Sequence, residues 1–474
     1  MLKEKLSDKR GFARNFLALS SSSFLLHFVN FFTNMYLART LGPNGFGFYG
    51  VIITWSSILL AVAGLGVDQV TTRAVARNQN DSLFHFKQAL LIRLAGLVLT
   101  SLSFIIYCFY TKDLSFLIVV LVIINTLLST IWNNIQSVAF GMRRMESTGY
   151  INVIGSVVLL LVYFILPSYL VSAFVVYLIS VVVLILKDVA LFLRSKREGL
   201  FGGGTSKPIN LVQIKEMILE CLPFYILVLF ALVTNQFPVL FLSENAGNVE
   251  VAYFNTANKL LIPLSVILST MFQAIFPILV EEKEHNPIKF YQNAKRLLFL
   301  IVSLGVICCL TVSLARDEIV VLVYGEEYQK TGVVLLTQCW YIVYFAVLSH
   351  FGTMYIVLGR DKLLAALSIL NAIVWAPFLW FTSKYGAISI SYGFVIGGII
   401  NLITNSVALF FVDKKLIPIA SIVRLNIFLL IGLAFSLLIP AGIGTAFKFV
   451  IFAVLVLITY PLYQKFRKIS FEYE

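Results

Sequence analysis

The chain has 474 residues, of which 59% are hydrophobic and only 12% are charged, with a mean hydropathy of +0.93. Because a water-soluble protein keeps roughly a quarter of its residues charged, this composition excludes a soluble protein and predicts a multi-pass membrane protein. The net charge of +13 does not indicate a nucleic-acid partner, since basic residues are expected in the cytoplasmic loops of membrane proteins.

The apolar segments predict an all-α polytopic membrane protein with about 14 transmembrane helices. A helix needs roughly 20 apolar residues to cross the hydrocarbon core, and each of these segments has that length. Twelve spans remain an alternative, because the two segments beside Pro167 lie close together. The predicted spans are residues 15–38, 47–72, 88–110, 115–139, 150–168, 170–193, 218–243, 251–279, 296–315, 331–358, 363–382, 386–411, 422–440 and 444–463.

The basic residues predict the orientation of these spans. When the spans alternate from a cytoplasmic amino terminus, most of the 36 Lys and Arg residues fall on one side of the membrane. Basic residues accumulate in cytoplasmic loops, so both termini are expected in the cytoplasm.

A glycine-rich hydrophilic connection predicts the domain organisation. Residues 195–210 form a cytoplasmic linker between an N-terminal lobe at 1–194 and a C-terminal lobe at 211–413, each with six helices. An even number of helices gives both lobes the same orientation, as in pseudo-symmetric transporters. Residues 414–474 add two C-terminal helices and a cytoplasmic tail.

Several short strings resemble one family of transporters. The first hairpin carries Ala38-Arg39 and Leu41-Gly42-Pro43, followed by Phe46-Gly47 and Tyr49; later strings are Ala252-Tyr253-Phe254, Ala257-Asn258-Lys259-Leu260 and Val323-Tyr324-Gly325 with Tyr328. This pattern resembles the O-antigen and capsular polysaccharide repeat-unit flippases, the Wzx-type proteins of polysaccharide biosynthesis. They belong to the multidrug/oligosaccharidyl-lipid/polysaccharide exporter (MOP) superfamily.

The resemblance implies a two-lobed transporter with a central cavity in the bacterial cytoplasmic (inner) membrane, and not an enzyme. Its substrate would be an undecaprenyl-pyrophosphate-linked oligosaccharide, such as a repeat unit of O-antigen in lipopolysaccharide, capsule or exopolysaccharide. Alternating access, coupled to a gradient of H⁺ or Na⁺, would move this lipid from the cytoplasmic to the outer leaflet. Membrane lipids, a polysaccharide polymerase and chain-length machinery are the expected partners, and nucleic acid is not.

A sugar headgroup needs a polar site, because each unpaired hydroxyl or phosphate oxygen costs several kcal/mol in hydrocarbon. Histidine and amide side chains inside the predicted spans are candidates for this site. They are His27, Asn30, Asn34, Asn235, Gln236, Asn255 and Asn258. The first three have the spacing of one helix face. Hydrogen bonding between helices is the alternative role for each of them.

Three cations are candidates for binding the pyrophosphate. Arg39 ends the first span, Lys259 lies inside the eighth, and Arg73 closes the second near the inner leaflet. An arginine can hold phosphate oxygens in a bidentate manner, and a lysine supplies a mobile charge. The alternatives are an interfacial anchor for Arg39 or Lys259 and a topology signal for Arg73.

Two carboxylates, Asp68 and Asp188, are candidates for binding a coupling H⁺ or Na⁺, since acids inside a span are costly. Asp68 is poorly spaced to pair with Arg73 and lies nearer Thr71 and Thr72, so a structural polar contact is the alternative. Asp188 follows Lys187 directly, and adjacent residues on a helix point about 100° apart, which argues against a simple ion pair between them. The five cysteines lie in apolar segments without a ligand cluster, so neither a metal nor a cofactor is expected.

Two other classes of protein remain as alternatives. A multidrug/cation antiporter of the same superfamily shares the architecture but should carry several carboxylates at its binding site. A membrane polysaccharide polymerase or glycosyltransferase should carry a large outer loop with clustered acidic, basic or metal-binding residues. The first outer loop, residues 40–46, contains no carboxylate, so this enzyme class is the third choice.

Overall fold

The computed structural model describes residues 2–111, 114–200 and 209–414, together with residues 416, 427, 429–434 and 436. Every regular element in this part of the chain is a helix, as predicted. The chain divides into two compact units, Met1–Leu240 and Phe241–Glu474. The linker boundary at residues 195–210 stays a prediction, because residues 201–208 lie outside the described part.

The described residues of the first unit form seven α-helices and part of an eighth. Their bounds are α1 Leu2–Gly64, α2 Val67–Arg77, α3 Ser82–Thr111, α4 Phe116–Gly141, α5 Met145–Ile165, α6 Ala173–Arg197, α7 Leu211–Asn235 and α8 Phe237–Asn245. The boundary between the two units falls inside α8. The described helices of the second unit are α9 Asn248–His285, α10 Pro287–Tyr324, α11 Thr331–Val357, α12 Asp361–Ser383 and α13 Gly386–Val412.

Eleven helical segments of the described residues are long and apolar enough to cross a membrane. The first of them, Phe24–Gly64, is interrupted at Gly42 and contains most of the first predicted span and most of the second. The following ten segments correspond to predicted spans three to twelve, which are thereby confirmed as apolar helices. The predicted span at residues 422–440 is described only in part, and the span at 444–463 lies outside the described residues.

Glycine turns connect long helices in both units. Gly42 interrupts α1 with φ 63° and ψ 176°, and Pro43 then starts the second helical part. Proline suits the first position of a helix, because that position needs no backbone N–H partner. In the second unit, Gly247 has φ 88° and ψ 174° directly before α9. The two units therefore use the same left-handed glycine conformation ahead of a long helix.

Polar contacts between helices stabilise the first unit. There, α1 packs against α3 and α5, while α4 packs against α2, α3 and α6. The Ser56 hydroxyl lies 2.5 Å from the Tyr177 hydroxyl, and the Tyr163 hydroxyl donates to the Val176 carbonyl at 2.8 Å. These bonds satisfy buried hydroxyl groups at the contacts of α6 with α1 and α5.

The second unit is built around α11. This helix has the largest buried share among the candidate spans and packs against α9, α10 and α13. Its Trp340 indole is fully buried and donates a hydrogen bond to the Ser436 hydroxyl at 2.9 Å. The core of this unit therefore includes a residue from the partly described region that follows α13.

A sharp break separates α1 from α2. Leu65 and Gly66 both have positive φ values, 49° and 72°, and Gly66 lies directly against α7. A Cβ atom at position 66 would lie 2.9 Å from the Tyr225 backbone nitrogen. Only glycine combines this backbone conformation with so close an approach of another helix.

Gly66→Ala is therefore expected to lower the stability of the protein by about 1–3 kcal/mol, through left-handed strain and steric overlap with α7. The melting temperature of the purified protein in detergent measures this effect. Gly64→Ala is the matched control, because a Cβ atom at Gly64 meets nothing within 4 Å. Equal melting temperatures for the two variants would contradict the close packing of α2 on α7.

Candidate functional site

The first unit contains a buried ion pair between α2 and α3. Arg93 is 1% exposed, and its Nη2 atom donates to Asp68 Oδ1 at 2.5 Å. The Ser137 hydroxyl of α4 donates to the same oxygen at 2.8 Å. Asp68 itself is 46% exposed, so one side of the carboxylate remains accessible. A cation from α3 and a hydroxyl from α4 thus bind this oxygen, whereas Thr71 and Thr72 are only its neighbours in sequence.

Apolar packing places this ion pair next to α7. Val67 and Val70 of α2 and Ile92 of α3 form one buried cluster with Met217 and Cys221 of α7. Each of the two charged residues directly adjoins a member of this cluster in sequence. A movement of α7 relative to α2 would therefore disturb the surroundings of the ion pair.

Arg73 lies on the same helix as Asp68 but has a different neighbour. Its side chain is exposed, and its guanidinium carbon lies 5.0 Å from the centre of the Phe224 ring of α7. This is a cation–π distance. Arg73 thus has an aromatic contact as well as an exposed face that is accessible to an anion.

A second cation in the first unit lies inside α6. Lys187 Nζ donates to Asn152 Oδ1 of α5 at 2.5 Å and lies 4.8 Å from the centre of the Trp132 ring of α4. Gly155 of α5 leaves the space that the lysine stem occupies, since a Cβ atom there would overlap the Lys187 side chain. The ammonium group is therefore held between α4 and α5.

Asp188, the next residue of α6, is 7% exposed. Both of its carboxylate oxygens are buried, and neither has a hydrogen-bond partner among the residues that the structure describes. The two carboxylates that the sequence singled out thus have opposite environments. Asp68 has a guanidinium and a hydroxyl as partners, and Asp188 has neither.

The first span brings two of its predicted polar residues into contact. Asn34 Nδ2 donates to the backbone carbonyl of Asn30 at 2.6 Å, and both side chains are half-buried. His27 and Arg39 are exposed. The structure thus leaves parts of this helix face accessible, which a binding role for these residues requires.

The other predicted amides lie near the end of α7 and in the first part of α9. Asn235 is exposed and donates to the Ala231 carbonyl at 2.9 Å, and Gln236 is the residue between α7 and α8. In α9, Asn255 and Lys259 are half-buried and Asn258 is exposed. All three residues of α9 therefore retain some exposed surface inside a candidate span.

The tyrosines of the motif strings in the second unit pack against one another. Tyr253 of α9 packs on Tyr328 with ring centres 6.3 Å apart, and Tyr324 packs on the same ring at 5.6 Å. The Tyr324 hydroxyl donates to the Thr256 carbonyl at 3.4 Å. Burial raises the pKa of the Tyr328 hydroxyl, and the neighbouring Glu327 carboxylate raises it further. These motif residues hold α9 against the end of α10.

Two polar arrangements were missed by sequence reasoning. Sequence reasoning gave Arg93 no role at the site, whereas its side chain is buried and paired with Asp68. In the second unit, Asn401 Oδ1 accepts from Asn371 Nδ2 and from Asn405 Nδ2, each at 2.5 Å. This amide cluster joins α12 to α13 in the middle of both helices. The intramembrane position of the amides was the only available signal.

The thiol and carboxylate chemistry of the chain is sparse. The five cysteines are free thiols. Within the described residues, no group of three or more His, Cys, Asp and Glu side chains is arranged to hold a metal ion. What the arrangement offers is cations, amides and aromatic rings, which suit binding of phosphate and hydroxyl groups.

Solved structures with a similar fold are membrane transporters. The lipid II flippase MurJ, in an inward closed conformation, has a TM-score of 0.66 at 13% identity, covering 96% of this chain and 99% of that one. An inward-facing multidrug resistance MATE family transporter of the MOP superfamily has a TM-score of 0.60 at 18% identity, covering 82% and 96%. The protein therefore has the fold of this class of multi-pass transporters.

The family model for polysaccharide biosynthesis proteins matches residues 12–283, which is more than half of the chain. The chain belongs to this polysaccharide biosynthesis family. A candidate O-antigen transporter from Shigella dysenteriae is 23% identical over 388 residues, covering 77% of this chain and 93% of the relative. The family resemblance inferred from the motif strings is thereby confirmed.

Proposed function

We propose that the protein is a flippase for an undecaprenyl-pyrophosphate-linked oligosaccharide. The observation that carries this proposal is the family match, on a chain whose described helices have the MurJ-like fold. The similarity to a candidate O-antigen transporter supports an O-antigen, capsule or exopolysaccharide repeat unit as the cargo. The protein would move this lipid from the cytoplasmic to the outer leaflet by alternating access and would not be an enzyme.

The chemistry of the substrate fits the polar residues inside the helices. A pyrophosphate carries negative charge, and Arg39, Lys259 and Arg73 each retain accessible surface. Sugar hydroxyls need donors and acceptors, which the amides supply. We propose His27, Asn30, Asn34, Asn235, Gln236, Asn255 and Asn258 as the sugar-contacting set.

We also propose that the protein lies in the bacterial inner membrane with both termini in the cytoplasm. Six-helix lobes at residues 1–194 and 211–413 would then share one orientation, with the linker on the cytoplasmic side. The polysaccharide polymerase and chain-length machinery would receive the product on the opposite side. A gradient of H⁺ or Na⁺ would drive the transport cycle.

Leaflet accessibility in proteoliposomes tests the proposal. Purified protein is reconstituted with undecaprenyl-pyrophosphate oligosaccharide, and a sugar-binding probe is added outside sealed vesicles. We expect the protein to accelerate exposure of the sugar from the inner leaflet, while protein-free vesicles show only slow exchange. No acceleration with several different repeat units would overturn the flippase assignment.

A multidrug antiporter is the second candidate, because MATE transporters share the fold. Binding of cationic drugs requires accessible carboxylates, but Asp68 is paired with Arg93 and Asp188 is buried. Drug efflux against an ion gradient, without sugar exposure, would favour this class over a flippase.

A further inference from the structure

Asp188 lies inside a candidate membrane span of the first unit. It is the sixteenth residue of the 25-residue helix α6, so roughly 13 Å of helix follow it and more precede it. Its side chain is more than nine-tenths buried, and both carboxylate oxygens lack hydrogen-bond partners in the described part of the chain. An ionised carboxylate without a partner costs several kcal/mol inside a protein or a membrane. The group therefore needs a positive ion to neutralise it.

The neighbouring Lys187 does not supply that ion directly. Adjacent residues on a helix point about 100° apart, and the Lys187 ammonium already donates to Asn152 and faces Trp132. The Lys187 charge lowers the free-energy cost of an ionised Asp188, but the ammonium group forms no hydrogen bond with that carboxylate.

The helices packed on α6 offer few other charges. Helix α4 has no charged residue, and α5 has only Glu146, in its first turn. From Phe24 onward, the ionisable residues of α1 are His27, Arg39 and the tyrosines Tyr36 and Tyr49. Tyr163 of α5 and Tyr177 of α6 are hydrogen-bonded to a carbonyl and to Ser56, respectively. The remaining charged side chains of α6 itself, Arg194, Lys196 and Arg197, lie in its last turn.

We propose that Asp188, and not Asp68, binds the monovalent cation, H⁺ or Na⁺, that drives transport; this inference rests on the proposed flippase function. Asp68 cannot gain much from a cation, because the Arg93 guanidinium already neutralises it at 2.5 Å. Asp188 has two unpartnered oxygens in the same unit, so an incoming cation removes a large energetic penalty. Loading and release of that cation would change the packing of α6 against α4 and α5.

The test compares Asp188→Asn with Asp68→Asn in sealed proteoliposomes, with a proton gradient or a sodium gradient imposed separately. We expect the wild-type rate of sugar exposure to rise with one of the two gradients, which identifies the cation. Asp188→Asn should lose this response, because an amide of the same shape does not take up H⁺ near neutral pH and has no negative charge to hold Na⁺. For Asp68→Asn, the ratio of the transport rate with the gradient to the rate without it should equal the wild-type ratio, even if both absolute rates change.

Two measurements keep this inference separate from the proposed function. Infrared difference spectra across a pH or sodium titration should show a carboxyl signal that Asp188→Asn removes and Asp68→Asn retains. This readout needs no transport, so it remains valid if the flippase assignment fails. The inference is overturned if Asp188→Asn keeps the wild-type gradient response, if wild-type transport ignores both gradients, or if the spectra of Asp188→Asn and wild type are identical.

Discussion

Replacing Asp68 with alanine is expected to destabilise the first unit much more than replacing Arg93 with methionine. Asp68→Ala leaves the Arg93 guanidinium, which is 1% exposed, as a buried charge without its counter-ion. Loss of one partner of a buried pair costs about 3–5 kcal/mol, and the half-exposed Asp68 places the expected loss at the lower end of this range, about 3 kcal/mol.

Arg93→Met removes the buried charge and keeps most of the apolar volume. The Asp68 carboxylate that remains is 46% exposed and still accepts from the Ser137 hydroxyl. We therefore expect a loss of about 1 kcal/mol. The double variant, Asp68→Ala with Arg93→Met, should be more stable than Asp68→Ala alone, since no unpaired charge remains.

Melting temperatures of the four proteins in one detergent complete this double-mutant cycle. Ser137→Ala serves as a control that weakens the site without changing charge. Additive losses in the double variant, or a larger loss for Arg93→Met than for Asp68→Ala, would contradict the buried ion pair.

The membrane-spanning segments were readable from the sequence because they depend on local composition. Runs of about 20 apolar residues predicted the described spans, and the short gap between the first two runs predicted a hairpin, whose turn the structure places at Gly42. Both signals lie within a short stretch of chain. Tyr253, Tyr324 and Tyr328 were also visible as motif residues, although their packing on one another was not.

The polar contacts were not readable because they join distant parts of the chain. Arg93 and Asp68 lie 25 residues apart, and Asn371 and Asn401 lie 30 apart. A single sequence does not indicate which amide or carboxylate meets which partner. For the same reason, the sequence did not indicate that Asp68 and Asp188 have opposite environments, and only the structure shows this difference.

Arg39→Gln and Lys259→Gln are expected to reduce transport of the lipid-linked oligosaccharide strongly, each by about tenfold or more. A hydrogen bond to a charged group contributes about 1.5–3 kcal/mol, and 1.4 kcal/mol corresponds to a tenfold change in affinity. Arg39 is exposed at the end of the first span, and Lys259 is half-buried in α9, so both side chains retain accessible surface for an anionic group.

The measurement is the initial rate of sugar exposure in proteoliposomes as a function of substrate density. Loss of pyrophosphate binding raises the substrate density needed for half-maximal rate, whereas damage to folding lowers the amount of reconstituted protein. Arg39→Lys and Lys259→Arg should recover part of the rate, because they keep the charge and change only its geometry.

Lys384→Gln provides the matched control for an interfacial anchor. Lys384 is exposed at the end of α12 and lies 5.9 Å from the centre of the Trp380 ring, so it has the contacts expected of a cation that only fixes a helix end. Its replacement should leave the rate within about twofold of wild type. If Arg39→Gln and Lys259→Gln behave like Lys384→Gln, both cations anchor helices, and the pyrophosphate must be bound by other groups, of which exposed Arg73 is the next to test.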